Sequence, residues 1–402
     1  MEHQSPEEGP KMTAPTIQTG LRAAGLEDLH ALLVDHHARR LDVVAGVEAL
    51  HALTDGTLRV DGVEAELSED GVTKVDGIYL PTHHAHGQLA TVLGVPQEYA
   101  RKMAAKHPTL WAANVNGWLA HPDYSAKKYM VRALRGDGGE GVARAFLSDR
   151  YRVIDNLDVL MAALDGIREA GVAVEIPYAD LTDTRMYVRV QAPAVAQAAE
   201  RLLAGYRSPF DFGQQRAGDA RVWTSAGPVV FAGFVLSNSE VGAGAFTIAP
   251  QVVVQACRNG MTVTKEAVRK THLGEKLEAG VVQWSDATQA KLLELVKSQT
   301  TDAVRTFLSP EWLGAKVAEL EEVAGVPVTD GQKAFEVVGK KLGYGETAQK
   351  DLLRHFSLAG QWTAGGVAQA MTSVAQTVDS ADEAYRMEGD AITAMELVAA
   401  GS

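Results

Sequence analysis

A single cysteine, Cys257, occurs in 402 residues, which excludes an intramolecular disulfide and a multi-cysteine zinc site. No uninterrupted apolar run approaches the roughly 18 residues that a membrane span needs. Met1 to Pro15 is acidic and lacks an apolar signal core. The expectation is a cytoplasmic protein without membrane association. No GxxxxGK[ST] occurs, so the chain shows no P-loop and no ATP motor signature. HExxH spacing and internal repeats are also missing.

What is present suits a folded chain: 46% hydrophobic and 22% charged residues, enough for one large or two ordinary domains with a substantial core. The net charge is −13, unevenly placed. Residues 101–274 carry 21 Lys and Arg against 16 Asp and Glu, whereas residues 1–100 carry a net −10 and residues 275–402 a net −8. A basic middle between acidic flanks suits an anion-binding core shielded from non-specific contacts. Ordinary variation of solvated faces would give the same counts.

Hydrophobic spacing predicts a helix over 26–40 and a β-meander over 56–80 around Asp61-Gly62 and Asp70-Gly71. Helical spacing returns from His86 past Gly94-Val95-Pro96. Strands are expected at 127–135 and 142–154, then a helix capped by Asp155 or Asn156. Met186 to Gln191 alternates as a half-exposed strand does, and Val229 to Leu236 is apolar on both parities, as in a buried central strand. Residues 205–220 read as a loop. From Ser285, the expected cap of a long helix, the pattern is helical, with Val367, Met371 and Val374 on one buried stripe. The fold expected is α+β, a mainly antiparallel sheet with packed helices, followed by a C-terminal helical region. Its division is a disordered start (1–20), an α+β core domain (21–284) and a helical C-terminal region (285–402). The strands near 127–135, 142–154, 185–191 and 229–236 are expected in one sheet.

Gly136-Asp137-Gly138-Gly139-Glu140-Gly141 matches G-x-G-x-x-G literally, but strand-like residues follow and two carboxylates would repel a phosphate. It is read as a hairpin loop. His83-His84-Ala85-His86 invites a metal reading, yet no cysteine or carboxylate stands in register, so a polar turn before a helix is expected and no metal or cofactor. Asp149, Asp155, Asp158, Asp180 and Asp183 are the carboxylates that a magnesium-dependent nuclease would need.

The strongest constellation is basic and aromatic. Arg185, Tyr187, Arg189 and Gln191 share one strand parity, as do Arg144, Ser148, Arg150 and Arg152 on the earlier strand. Guanidinium groups bind phosphates, and Tyr187 or Tyr151 can stack on any base. Arg258, Lys265, Arg269, Lys270 and His272 form a second basic group. The competing reading is a sheet whose arginines pair with carboxylates for stability.

The stretch Arg144 to Leu160, RAFLSDRYRVIDNLDVL, together with GFVLSNSEVGAGAF, ACRNGM and QLATVLGVPQEYARKM, resembles the phage- and plasmid-borne domain-of-unknown-function family 932. The resemblance runs from about Arg40 to the C-terminal helices, and the 205–220 segment departs from it. It implies a phage, prophage or plasmid context and supplies no activity and no catalytic residues. The function expected is therefore a non-enzymatic nucleic-acid-binding protein of the single-stranded DNA annealing type used in recombination, with homo-oligomerisation in keeping. An alternative is a host-interaction or regulatory protein docking through the acidic C-terminal end (Asp379, Asp382, Glu383, Glu388, Asp390). A metal-dependent nuclease is the third.

Overall fold

Strands of alternating side chains build two large sheets and one two-stranded ribbon in this computed structural model, which describes residues 17–63, 67–68, 71–72, 76–138, 140–149, 151, 153–206, 229–254, 259–263, 267–270 and 286–401. In chain order the strands are β1 (Leu21–Ala24), β2 (Arg40–Gly46), β3 (Leu50–Ala52), β4 (Leu58–Val60), β5 (Leu67–Ser68), β6 (Gly71–Val72), β7 (Gly77–Pro81) and β8 (Lys128–Arg135). There follow β9 (Glu140–Ser148), β10 (Ala179–Leu181), β11 (Met186–Ala198), β12 (Val229–Asn238), β13 (Phe246–Val254), β14 (Asn259–Thr262) and β15 (Val268–Lys270). The helices are α1 (Leu26–Arg39), α2 (His83–Val92), α3 (Gln97–Lys106), α4 (Pro108–Leu119), α5 (Asn156–Ala170) and α6 (Asp286–Phe307). The last five are α7 (Pro310–Ala324), α8 (Gly331–Leu342), α9 (Glu346–Ala359), α10 (Ala364–Ala375) and α11 (Ala381–Ala400).

The chain is α+β with a C-terminal helical region. The larger sheet is antiparallel and runs β1-β10-β11-β12-β13-β14, with β15 also on β13. The smaller runs β2-β8-β9-β7-β4-β3, and its β7–β9 pair is parallel. The expectation that residues 127–135, 142–154, 185–191 and 229–236 share one sheet is overturned: β8 and β9 lie in the smaller sheet, β11 and β12 in the larger. Parity says which side chains share a face, but partner choice is made by non-local hydrogen bonds that parity does not encode. The second strand also stops at Ser148, and Ile154 already packs in the core of the larger sheet.

Arg135 of β8 pairs with Gly141 of β9, so the two antiparallel strands form the expected hairpin. A Cβ at Gly136 would come within 2.0 Å of the Glu140 carbonyl oxygen, so the glycine is needed for the turn and not for a phosphate.

Two cores follow from two sheets. Met186, Val188 and Val190 of β11 join Phe234, Leu236 and Ile248 against α5, α6, α7, α10 and α11. Trp111, Leu50, Leu58, Val131 and Phe146 centre the other. The C-terminal helices thus close the core of the larger sheet. The stripe of α10 is interior, with Val367 and Met371 at 0% exposure. Among the described residues no helix is long and apolar enough to cross a membrane.

Several sequence expectations fall outside the described residues: the disordered start over 1–16, Arg150, Arg152, most of the 205–220 loop, Cys257, Arg258, Lys265, His272 and Ser285. Arg269 and Lys270 lie in β15.

Candidate functional site

Arg144 is an internal group. Its guanidinium, 4% exposed, meets Glu240 at 2.5 Å, and Glu240 Oε2 accepts from Asn156 N at 2.7 Å. The start of α5 is therefore capped from 84 residues away, because Asp155, one of the two expected caps, is engaged by Arg132 at 2.7 Å and by Arg40. Asn238 Nδ2 donates to Ile154 O and to Asn156 Oδ1, fastening the ends of β12 and α5. Burial pushes the Glu240 carboxyl up, but Arg144, Arg132 and the Asn156 N–H outweigh it and hold it at about 2. Burial lowers the Arg132 pKa, yet Glu240, Asp42 and Asp155 together raise it above the ordinary guanidinium value. Two of the segments that carry the family resemblance thus meet in a charge-balanced joint between the sheets. A crevice of about 10 Å³ in it has room for one water. Tyr151 packs beside this joint on Leu147 and Val241.

The parity split of β11 is real, but its polar side faces no solvent. Helix α11 covers it. Ala381, Tyr385 and Glu388 recur at i, i+4, i+7 and so face the sheet together. Tyr187 donates to Asp382 at 2.7 Å and stacks on Tyr385 at 4.8 Å, while Arg189, 5% exposed, reaches Glu388 at 3.1 Å and Asp180 at 2.6 Å. Burial lifts the Tyr187 phenol well above its usual range, and Asp382 adds to the rise. Arg185, partly exposed, donates to Ala243 O at 2.5 Å. A Cβ at Gly244, whose φ is +154°, would lie 1.8 Å from that guanidinium. The half-exposed strand expected at 186–191 is corrected: a carboxylate-bearing helix neutralises and covers it. Of the acidic end offered as a docking surface, Asp382 and Glu388 bond to β11 and Asp390 accepts from Tyr344 at 2.7 Å, while Asp379 and Glu383 are exposed.

The described surface does carry an aromatic and cationic cluster, at the exit of α4. Trp118 is 40% exposed, with His121 at 5.9 Å and Tyr124 at 6.5 Å between ring centroids. Lys127 Nζ lies 4.0 Å from the centre of the Tyr124 ring, and the next residue, Lys128, opens β8. His121, Lys127 and Lys128 are exposed, and Asp123 is the one carboxylate among them. Sequence reasoning passed over this site. Its signal was two aromatics, a histidine and two lysines within Trp118 to Lys128, in a segment read only for its strand.

The three clustered histidines diverge. Thr82 caps α2 by accepting from Ala85 N, so they form a first helical turn. His84 Nε2 donates to Val241 O at 3.0 Å, and His86 packs edge-on against Trp111 at 5.2 Å. Burial, then the charges of His83 and Arg101, lower the His86 pKa to about 4. His83 and His84 instead line an open cavity of about 470 Å³ with Arg22, Arg101, Asp183 and Asp382. A neighbouring cavity of about 430 Å³ holds Ala23 and Tyr178 and shares Arg22 and Asp379 with the first.

Among the described residues no three His, Cys, Asp or Glu side chains gather with the spacing a metal ion needs. The aspartates considered for a nuclease are scattered: Asp155 belongs to the joint between the sheets and Asp180 to the pair with Arg189. Comparisons with models of protein families, with curated proteins and with solved structures found no match.

Proposed function

We propose that the chain binds single-stranded nucleic acid without covalent chemistry, as a phage- or plasmid-borne member of family 932, and that strand annealing in recombination is the use of that binding. One observation carries the reading: a partly exposed tryptophan stands beside exposed lysines and a histidine at the exit of α4. Every base has a π-face, so Trp118 can stack without sequence preference, while Lys127 and Lys128 meet phosphates. Tyr124 holds Lys127 in place through its ring. The reading moves the contact surface from the arginine-bearing strands to this cluster, because Arg144 and Arg189 are held by buried carboxylates.

Fluorescence titration with single-stranded DNA and RNA at several salt concentrations tests it. Affinity is expected to fall with salt at a log–log slope of about −0.7 per phosphate neutralised. Trp118→Ala should cost about 1–3 kcal/mol of binding, and Lys127→Ala and Lys128→Ala should each lower the slope by about one contact. Salt-independent behaviour, or no binding of either nucleic acid at micromolar protein, overturns the proposal.

A further inference from the structure

From the paired cavities beside β1 we infer that the chain carries a second, separate site, for a mononucleotide. The argument starts with volume. Open cavities of about 470 and 430 Å³ adjoin at Arg22 and Asp379, each within the ~300–1,000 Å³ typical of small-ligand sites. Arg22 is the post between them. Its Nη1 meets Asp180 at 2.8 Å and its Nη2 donates to Val378 O at 3.3 Å, so its guanidinium is fixed before a ligand arrives.

The walls differ in chemistry. In the first chamber Arg101 donates from Nε to His83 O at 3.2 Å, and among the described residues its two Nη groups carry no hydrogen bond. A guanidinium fork beside the exposed His83 ring matches a phosphate monoester, which carries charge and several acceptors. Asp183, Asp382 and the shared Asp379 would repel a second anionic group, yet Asp183 and Asp379 accept from hydroxyls. The rest of the ligand must therefore be neutral and hydroxylated at this point. The second chamber offers the Tyr178 ring, already backed by the Arg189 guanidinium at 4.7 Å. An aromatic wall in one chamber, a carboxylate shared by both and a guanidinium in the other offer partners for a base, a ribose and a phosphate.

Backbone strain lies at the same place. Ala23, at φ +49°, is the only non-glycine residue with positive φ among those described, and its N–H is held by Asp180 Oδ1 at 2.7 Å. Such a residue persists where its surroundings over-determine it, and strain of this kind gathers at ligand sites.

Isothermal titration of the full chain with AMP, GMP, CMP and UMP, with adenosine and with inorganic phosphate, tests the inference. At least one mononucleotide should bind with a sub-millimolar Kd, and adenosine and phosphate each at least about tenfold more weakly. Arg101→Ala and Asp379→Asn should each weaken binding by at least about tenfold. Asp379 is exposed, so its variant reports on binding even if Arg101→Ala misfolds. Trp118→Ala should bind the nucleotide like the parent protein, which keeps this outcome distinct from that of the single-strand test. Displacement of the nucleotide by a 5′-phosphorylated oligonucleotide in the Trp118→Ala background would identify a strand end as the source of the ligand, and no displacement a free nucleotide. The inference is overturned if no mononucleotide binds below millimolar concentration, or if Asp379→Asn binds as tightly as the parent.

Discussion

Arg189→Ala is expected to destabilise the protein by about 3–5 kcal/mol while leaving the single-strand affinity of the folded protein unchanged. Arg189 is 5% exposed and makes three bonds to carboxylate oxygens, one to Asp180 at 2.6 Å and two to Glu388 at 3.1 and 3.2 Å. After truncation Asp180 keeps Arg22 and the Ala23 N–H. Glu388, 4% exposed, keeps only Gln251 Nε2 at 3.3 Å among its described partners. The loss is dominated by that buried carboxylate. Burial already pushes the Glu388 pKa up, with Arg189 opposing it, so removing the arginine drives the group further toward its neutral form. Urea denaturation followed by tryptophan fluorescence measures the effect: with a slope near 3 kcal/mol/M, the midpoint should fall by about 1–1.7 M. Glu388→Met combined with Arg189→Met should recover most of the loss, because no uncompensated charge is left behind. An Arg189→Ala protein with the parent midpoint and weakened DNA binding would refute the reasoning and return the arginine to a nucleic-acid surface.

Met371→Ala, at a position with 0% exposure, should cost about 2–5 kcal/mol in the same denaturation assay. Truncation after Val378 should abolish cooperative unfolding and expose dye-binding apolar surface, because α11 brings Met387, Ala391 and Met395 into the core and partners Tyr187 and Arg189. Stability should also decline in acid in two stages, read by midpoints across a pH series. His86 has a folded pKa of about 4 against 6.5 in the unfolded chain, so the unfolded state takes the proton first. Its contribution of about 3 kcal/mol is complete above pH 6.5 and is lost as pH falls toward 4. Glu240, at about 2 when folded and 4.5 when unfolded, contributes fully above 4.5 and loses that contribution as pH falls through 2. His86→Phe should shrink the first stage, to which His36 and His84, whose pKa values burial also lowers, contribute as well, and a midpoint unchanged between pH 7 and 4.5 in the parent would contradict it.

Local pattern determined much of this protein. The α+β class, the helical C-terminal region, the α10 stripe, the central strand β12 and the hairpin at Gly136 were legible because each rests on periodicity or turn chemistry within a dozen residues. The parity of β11 was legible too: Met186, Val188 and Val190 go to the core, and Tyr187 and Arg189 to the other face. What covers that other face was not. An exposed arginine and one paired with a carboxylate 199 residues away read alike in sequence, because ion pairing leaves no local periodicity. The same holds for Glu240, whose polar segment gives no sign that it caps α5 and balances Arg144. Tertiary structure alone divided the strands between two sheets and turned Arg132 and Arg144 of the basic middle into an interior joint. It also brought β1, α2, β10 and the start of α11 together around one groove, since non-local hydrogen bonds and burial of charge are decided only when distant segments meet.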